Sequence, residues 1–157
     1  MQTFMPHSSF VISAQLLDWR RLNKQITEAL QILQSLEGGN GWSHHPAVRM
    51  WSGYEIALTD YGCVMYDEWM RRYESGERGG KLVHKSGEEL LDRLERCDIR
   101  RYELPWWWGD HRLHSSHRAC LLAKNPEHYS QFCWPEEPTP KVDGRWPYWW
   151  PTEESND

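Results

Sequence analysis

The chain has 157 residues, with 18 lysines and arginines against 23 aspartates and glutamates and a formal charge of -5. That length suits one compact domain with a real core, and no 18-residue apolar run is present to span a membrane as a helix. Four of the five net negative charges fall in residues 135–157, so the total leaves DNA open as a partner, and a local basic patch would have to supply the phosphate contacts.

Eleven Trp and 7 Tyr stand against 3 Phe. Most of the aromatic surface therefore carries a polar handle, which suits core edges and surfaces that stack on ligands. Cys63, Cys97, Cys120 and Cys133 are widely spaced, without a C-x-x-C pair or a signal peptide, and are expected to be free thiols in a cytoplasmic protein.

In chain order, "MQTFMPHSSF" reads as an extended start. From about Ser13 to Glu37, Leu22, Ile26, Leu30 and Leu33 recur at helical spacing until Gly38-Gly39-Asn40-Gly41 stops them, which predicts a first amphipathic helix. A second helix is predicted from Pro46 to Tyr73, with Pro46 near its first turn and a bend at Gly53 or Gly62. Residues 74–86 read as a Gly-rich polar connection, and "GEELLDRLERCDI" as a short helix with Leu90, Leu91 and Leu94 inward. A final helix is predicted in "HRLHSSHRACLLAKN", stopped by Pro126.

Residues 134–151 are rich in proline and offer little regular structure, yet Trp134, Trp146, Tyr148, Trp149 and Trp150 should wrap the segment onto the body. The last six residues, "TEESND", read as a disordered acidic tail. With no internal repeat and no convincing alternating strand pattern, the expected fold is mainly α. It is a compact single domain over residues 1–151 with an irregular Trp/Pro-rich C-terminal segment.

Three constellations could carry chemistry. Arg21, Gln25 and Glu28 lie at i, i+4 and i+7, with Lys24 one residue around from that row. A solvated helix face with local ion pairs produces this pattern, and so does a carboxylate flanked by cations that hold a phosphate backbone. His111, His114 and His117 recur every three residues, a spacing that drifts around a helix axis. No carboxylate follows at a zinc or di-iron spacing, so no metal and no cofactor are expected. His117 and Arg118 are placed on the exposed side of their helix, as phosphate or base contacts or as plain surface. In "PWWWGD" three consecutive indoles cannot all face one core, so at least one should be exposed, either capping the core or stacking on an unstacked base. No Walker loop, G-x-S-x-G or G-x-G-x-x-G is present to support nucleotide hydrolysis or α/β-hydrolase chemistry.

Taken together, "MQTF", "LLDWRRLNKQITEALQIL", "HHPAVRMWSGYEIAL" and "LHSSHRACLLAKNPEHYSQF", followed by the Trp/Pro-rich tail, resemble the bacterial branch of the pyrimidine-dimer DNA glycosylase family over about residues 1–151. The resemblance implies a compact all-α domain whose N-terminal segment threads between helices and brings a free α-amino group beside a glutamate on the first long helix. It assigns that glutamate to Glu28 and the amine to Met1, or to Gln2 once Met1 is removed. It places DNA contacts near Arg21, Lys24 and Gln25 and near His117, Arg118 and Lys124. Arg20, His44, His45 and Arg49 complete the expected DNA-contacting set, and Thr27 stands where the family pattern has an arginine.

The chemistry gives an independent reason for a chain terminus to matter. With an ordinary pKa near ~7.8, an α-amine is roughly a tenth to a fifth free base at pH 7, whereas a lysine near ~10.4 is below about 0.1%. The implied function is a DNA glycosylase, with or without AP-lyase activity, acting as a monomer on a damaged or modified pyrimidine in duplex DNA. A non-catalytic DNA-binding module of the same fold is the alternative, and a protein-interaction domain using the C-terminal aromatics a third.

Overall fold

Asp18 divides in two what the periodicity reads as one first helix. Its carboxylate accepts the backbone N–H groups of Arg20 and Arg21 at 3.0 and 3.1 Å, an N-cap that starts a new helix, while Leu17 before it is extended. The Tyr129 hydroxyl donates to the same carboxylate at 2.7 Å. The break is thereby tied to the far end of the chain.

The computed structural model describes residues 1–38, 41–77 and 81–151. Among these, seven α-helices follow one another: α1 (Phe10–Leu16), α2 (Trp19–Leu36), α3 (Pro46–Arg49), α4 (Glu55–Glu74), α5 (Lys81–Arg96), α6 (His111–Lys124) and α7 (Pro126–Tyr129). Extended pairing among the described residues is limited to one isolated bridge, Val142 to Arg145, so the fold is mainly α as expected. No helix among the described residues is long and apolar enough to cross a membrane. Gly39 and Asn40 of the expected helix stop and the expected acidic tail, residues 152–157, lie outside the described residues.

The core forms where α2 lies against α4 and α5. Leu22, Ile26, Ala29, Ile32 and Leu33 of α2 are buried against Leu58, Tyr61 and Met65 of α4 and Leu90 of α5. Each Leu, Ile or Met among these contributes about 1.5–3 kcal/mol on burial. The predicted second helix breaks at Gly53, whose φ of +87° favours glycine, and α4 then runs unbroken through Gly62. The last helix but two starts earlier than predicted, at Lys81. Gly87, the predicted first residue of that helix, lies inside it, where a Cβ would come 2.3 Å from the Tyr66 ring, so this glycine marks a close helix–helix approach.

The Trp/Pro-rich segment is strapped along α6. Thr139 N donates to Ala119 O at 3.0 Å, Trp149 N to Ser116 Oγ at 3.1 Å, and the Arg118 guanidinium to Glu136 at 2.9 Å. Trp134, Tyr148, Trp149 and Trp150 are half-buried against the core, as the sequence predicts. Of the three consecutive indoles, Trp107 is buried with its N–H on Met50 O at 3.0 Å, Trp108 meets Phe10 edge-on at 4.2 Å, and Trp106 is 56% exposed.

Candidate active site

An extended segment with no strand beside it must satisfy its backbone groups from side chains, and residues 2–6 do so. Gln2 N donates to Glu28 Oε2 at 3.1 Å, Phe4 N to Gln25 Oε1 at 2.8 Å and Met5 N to His117 Nδ1 at 2.9 Å. On the carbonyl side, Tyr61 Oη donates to Phe4 O at 2.8 Å, His114 Nδ1 to Met5 O at 2.8 Å and Arg118 Nη1 to Pro6 O at 3.0 Å. Trp51 Nε1 adds a bond to Thr3 Oγ1 at 3.0 Å. Gln2 to Met5 are buried; the segment is threaded between α2, α4 and α6.

Helical spacing explains which side chains meet it. Gln25 and Glu28 are three apart on α2, and His114, His117 and Arg118 are three and four apart on α6, so each set shares a face. This corrects three expectations. His117 is fully buried, not on the exposed side of its helix. Gln25 is also fully buried and holds the Phe4 amide, and Arg118 is committed to Glu136 and Pro6 O, so none of the three presents a free contact to DNA. A polar side chain facing a buried polar strand has the same pattern in sequence as one facing water.

Because His117 Nδ1 accepts a hydrogen bond, its proton resides on Nε2; His114, which donates from Nδ1, carries the opposite tautomer. Burial, then the neighbouring His114 and Arg118, push the His117 imidazole down to about 3. His114 is lowered chiefly by burial. Both rings are neutral near pH 7, and among the described residues no group of three or more His, Cys, Asp or Glu side chains converges as a metal site.

Glu28 is buried at the end of this strand, with Oε1 3.4 Å from the Nζ of Lys24, itself 67% exposed. One residue before the Gln2–Glu28 bond, Met1 lines a cavity of about 640 Å3 together with His45, Arg145, Trp146, Tyr148 and Trp150. The His45 imidazole is lowered by burial and further by the charge of the N-terminal amine, and His45 and Met1 line the same cavity. His45 Nδ1 is held by the Ala47 N–H at 3.0 Å, which fixes the ring at the start of α3.

A second hollow of about 550 Å3 adjoins the N-terminal end of α2, walled by Trp19, Arg20, Arg21, Lys124 and His128. Lys124 Nζ sits 3.8 Å from the centroid of Trp146 and 5.8 Å from that of Phe4, a cation–π arrangement. Burial, then repulsion from Arg21, Lys24 and Lys141, lowers its pKa to about 8. The structure thus brings Met1, Gln2, Lys24, Glu28 and His45 to one place and Arg20, Arg21 and Lys124 to a neighbouring basic one. His44 is exposed, and Arg49 lines a separate depression with Tyr54 and Trp106. Sequence reasoning did not place Arg145, Trp146, Tyr148 and Trp150 at the site; the density of aromatics in "RWPYWW" is the one signal that could have found them.

Fold and site together define a helical protein that uses its buried polar side chains to hold its own amino terminus beside a carboxylate, at the edge of an aromatic-walled cavity. The sequence of its N-terminal half takes this further: residues 1–78 match the model of the family described as pyrimidine dimer DNA glycosylase, and the chain belongs to that family. DNA is accordingly its substrate class. The match covers the threaded strand, α2 with Glu28, and α4; α6 and the aromatic segment lie beyond it. No curated protein and no solved structure matches the chain.

Proposed function

We propose that this single domain, residues 1–151, is a DNA glycosylase with AP-lyase activity that removes a damaged pyrimidine through an imine between its N-terminal amine and the sugar. The observation that carries this reading is the Gln2 N–H bond to Glu28 Oε2 at 3.1 Å. It anchors the terminus against a buried carboxylate one residue from an open cavity that Met1 itself lines.

The amine lone pair attacks C1′, and the C1′–N1 pair leaves with the base. Glu28 takes a proton from the new secondary ammonium and returns it to O4′ as the nitrogen lone pair opens the ring to an imine. Glu28 then removes a C2′ proton; the released pair forms an enamine that expels the 3′ phosphate with its bonding electrons, and water hydrolyses the imine. Arg20, Arg21, Lys24 and Lys124 supply the phosphate contacts that a chain of net negative charge otherwise lacks.

Incubation with an abasic-site duplex and borohydride, followed by intact mass and peptide mapping, tests the reading. A covalent adduct on the N-terminal peptide is expected, and its position distinguishes Met1 from Gln2 as the nucleophile. Intact DNA binding with a free N-terminus and no adduct would rule the amine mechanism out.

A further inference from the structure

Breaking a glycosidic bond leaves its electron pair on pyrimidine N1, delocalised onto the O2 carbonyl. A preorganised donor at that edge stabilises the charge as it develops. Glu28 is an acceptor when ionised and is bound to the Gln2 amide, so the donor has to come from another side chain.

Tyr148 is fixed on that wall. Its ring meets Phe4 edge-on at 5.8 Å and His117 at 5.7 Å, which docks it onto the threaded strand, and Trp150 backs it at 5.7 Å. The neighbouring main chain is pinned by Tyr148 N to Trp146 O at 2.9 Å and by Trp149 N to Ser116 Oγ at 3.1 Å. It lines the same cavity as Met1.

Its hydroxyl stands apart from those of four other tyrosines. Tyr61 is hydrogen-bonded to Phe4 O, Tyr66 to His84, Tyr102 to Asp60 and Tyr129 to Asp18, whereas the Tyr148 hydroxyl bonds to no described residue. Tyr148 is half-buried, yet its hydroxyl is not one of the enclosed polar atoms that lack a partner, so a ligand can reach it. Burial, then the charges of Cys120 and Glu28, hold this phenol above its usual range. It therefore stays protonated at working pH, on the wall of the cavity that Met1 also lines.

We propose that Tyr148 is a catalytic residue that donates a hydrogen bond to O2 of the departing pyrimidine, serving base release and not strand cleavage. This rests on the amine–Glu28 mechanism. The C1′–N1 pair goes to the base, the phenol keeps its proton, and the base takes a proton from water.

The test is Tyr148→Phe, which keeps the ring against Phe4 and His117 and removes only the hydroxyl. Two duplexes are followed in single turnover, one with a cyclobutane pyrimidine dimer and one with a preformed abasic site. Base release from the dimer should fall by about 10²–10³-fold, the range for losing one such donor. Cleavage and borohydride trapping at the abasic site, where no base remains to leave, should stay within about twofold of wild type. Equal losses on both duplexes would reduce Tyr148 to a positioning or packing role and overturn the proposal; so would no loss on either. A wild-type chain that forms the adduct but leaves the dimer intact overturns it as well. A wild-type chain that forms no adduct on the abasic duplex removes the underlying amine mechanism, an outcome distinct from any failure of Tyr148.

Discussion

Gln2 and Glu28, 26 residues apart in sequence, are joined by a hydrogen bond of 3.1 Å from the amide of one to the carboxylate of the other. The bond needs an acceptor oxygen at position 28 but no charge, which separates the structural task of that side chain from its chemical one.

Glu28→Gln should therefore fold and still lose function. The amide oxygen can accept the Gln2 N–H, and the ion pair it gives up is to an exposed lysine, a class worth about 0–1 kcal/mol. The variant should unfold within about 1 kcal/mol of wild type in urea, while cleavage at an abasic site falls by about 10²–10⁴-fold for want of a general base. Retained cleavage would assign proton transfer to another group.

Acid should loosen the strand through His117. Its folded pKa, about 3, lies below the ordinary value of about 6.5, so the unfolded chain binds the proton first. The stability contribution is complete above about pH 6.5 and is lost as the pH falls from there toward 3. His114, also lowered, acts in the same direction. Urea unfolding of the wild type at pH 7, 5.5 and 4.5 should show a falling midpoint. His117→Gln, already weakened at pH 7, should show a shallower fall.

Lys124 should make DNA affinity sensitive to mildly alkaline pH. With its pKa lowered to about 8, the amine loses its charge as the pH rises from 7 to 9, and a phosphate contact with it. Over the same interval the unfolded chain stays protonated, so stability falls as pH falls from the unfolded value near 10.5 through 8. Affinity and stability should move oppositely with pH. Lys124→Gln should weaken binding to any duplex, reduce the slope of log K against log salt by about one, and flatten the pH dependence of affinity. Fluorescence anisotropy on undamaged DNA measures all three.

How much of this is legible in the sequence depends on what each side chain faces. α2 is readable because Leu22, Ile26, Leu30 and Leu33 face an apolar core, and periodicity reports that kind of neighbour. Its start is not, because Asp18 caps a helix that follows α1 without a spacer, and the apolar spacing runs on across the break. The start of α5 is misread because residues 81–86 follow a Gly-rich stretch and read as linker, whereas the helix begins at Lys81. Glu28 was found through resemblance to a family, since its spacing fits a solvated helix face equally well. His117 and Gln25 read as surface residues in the sequence because their partner is a buried backbone, which leaves no periodic trace. The cavity wall at Arg145, Trp146, Tyr148 and Trp150 belongs to a segment without regular structure, where nothing local says which way a side chain points.

The bond between Met5 and His117 spans 112 residues, and that separation sets an order of assembly. Residues 2–6 leave the ribosome long before α6 exists to receive them, and at about 5–20 residues per second the interval is roughly 6–20 seconds. For that time the segment has neither its contact with α6 nor the cavity walls that residues 145–150 supply. Residues 2–5 therefore reach their buried positions only after α6 has been made, and the earliest of these segments is seated by one of the last.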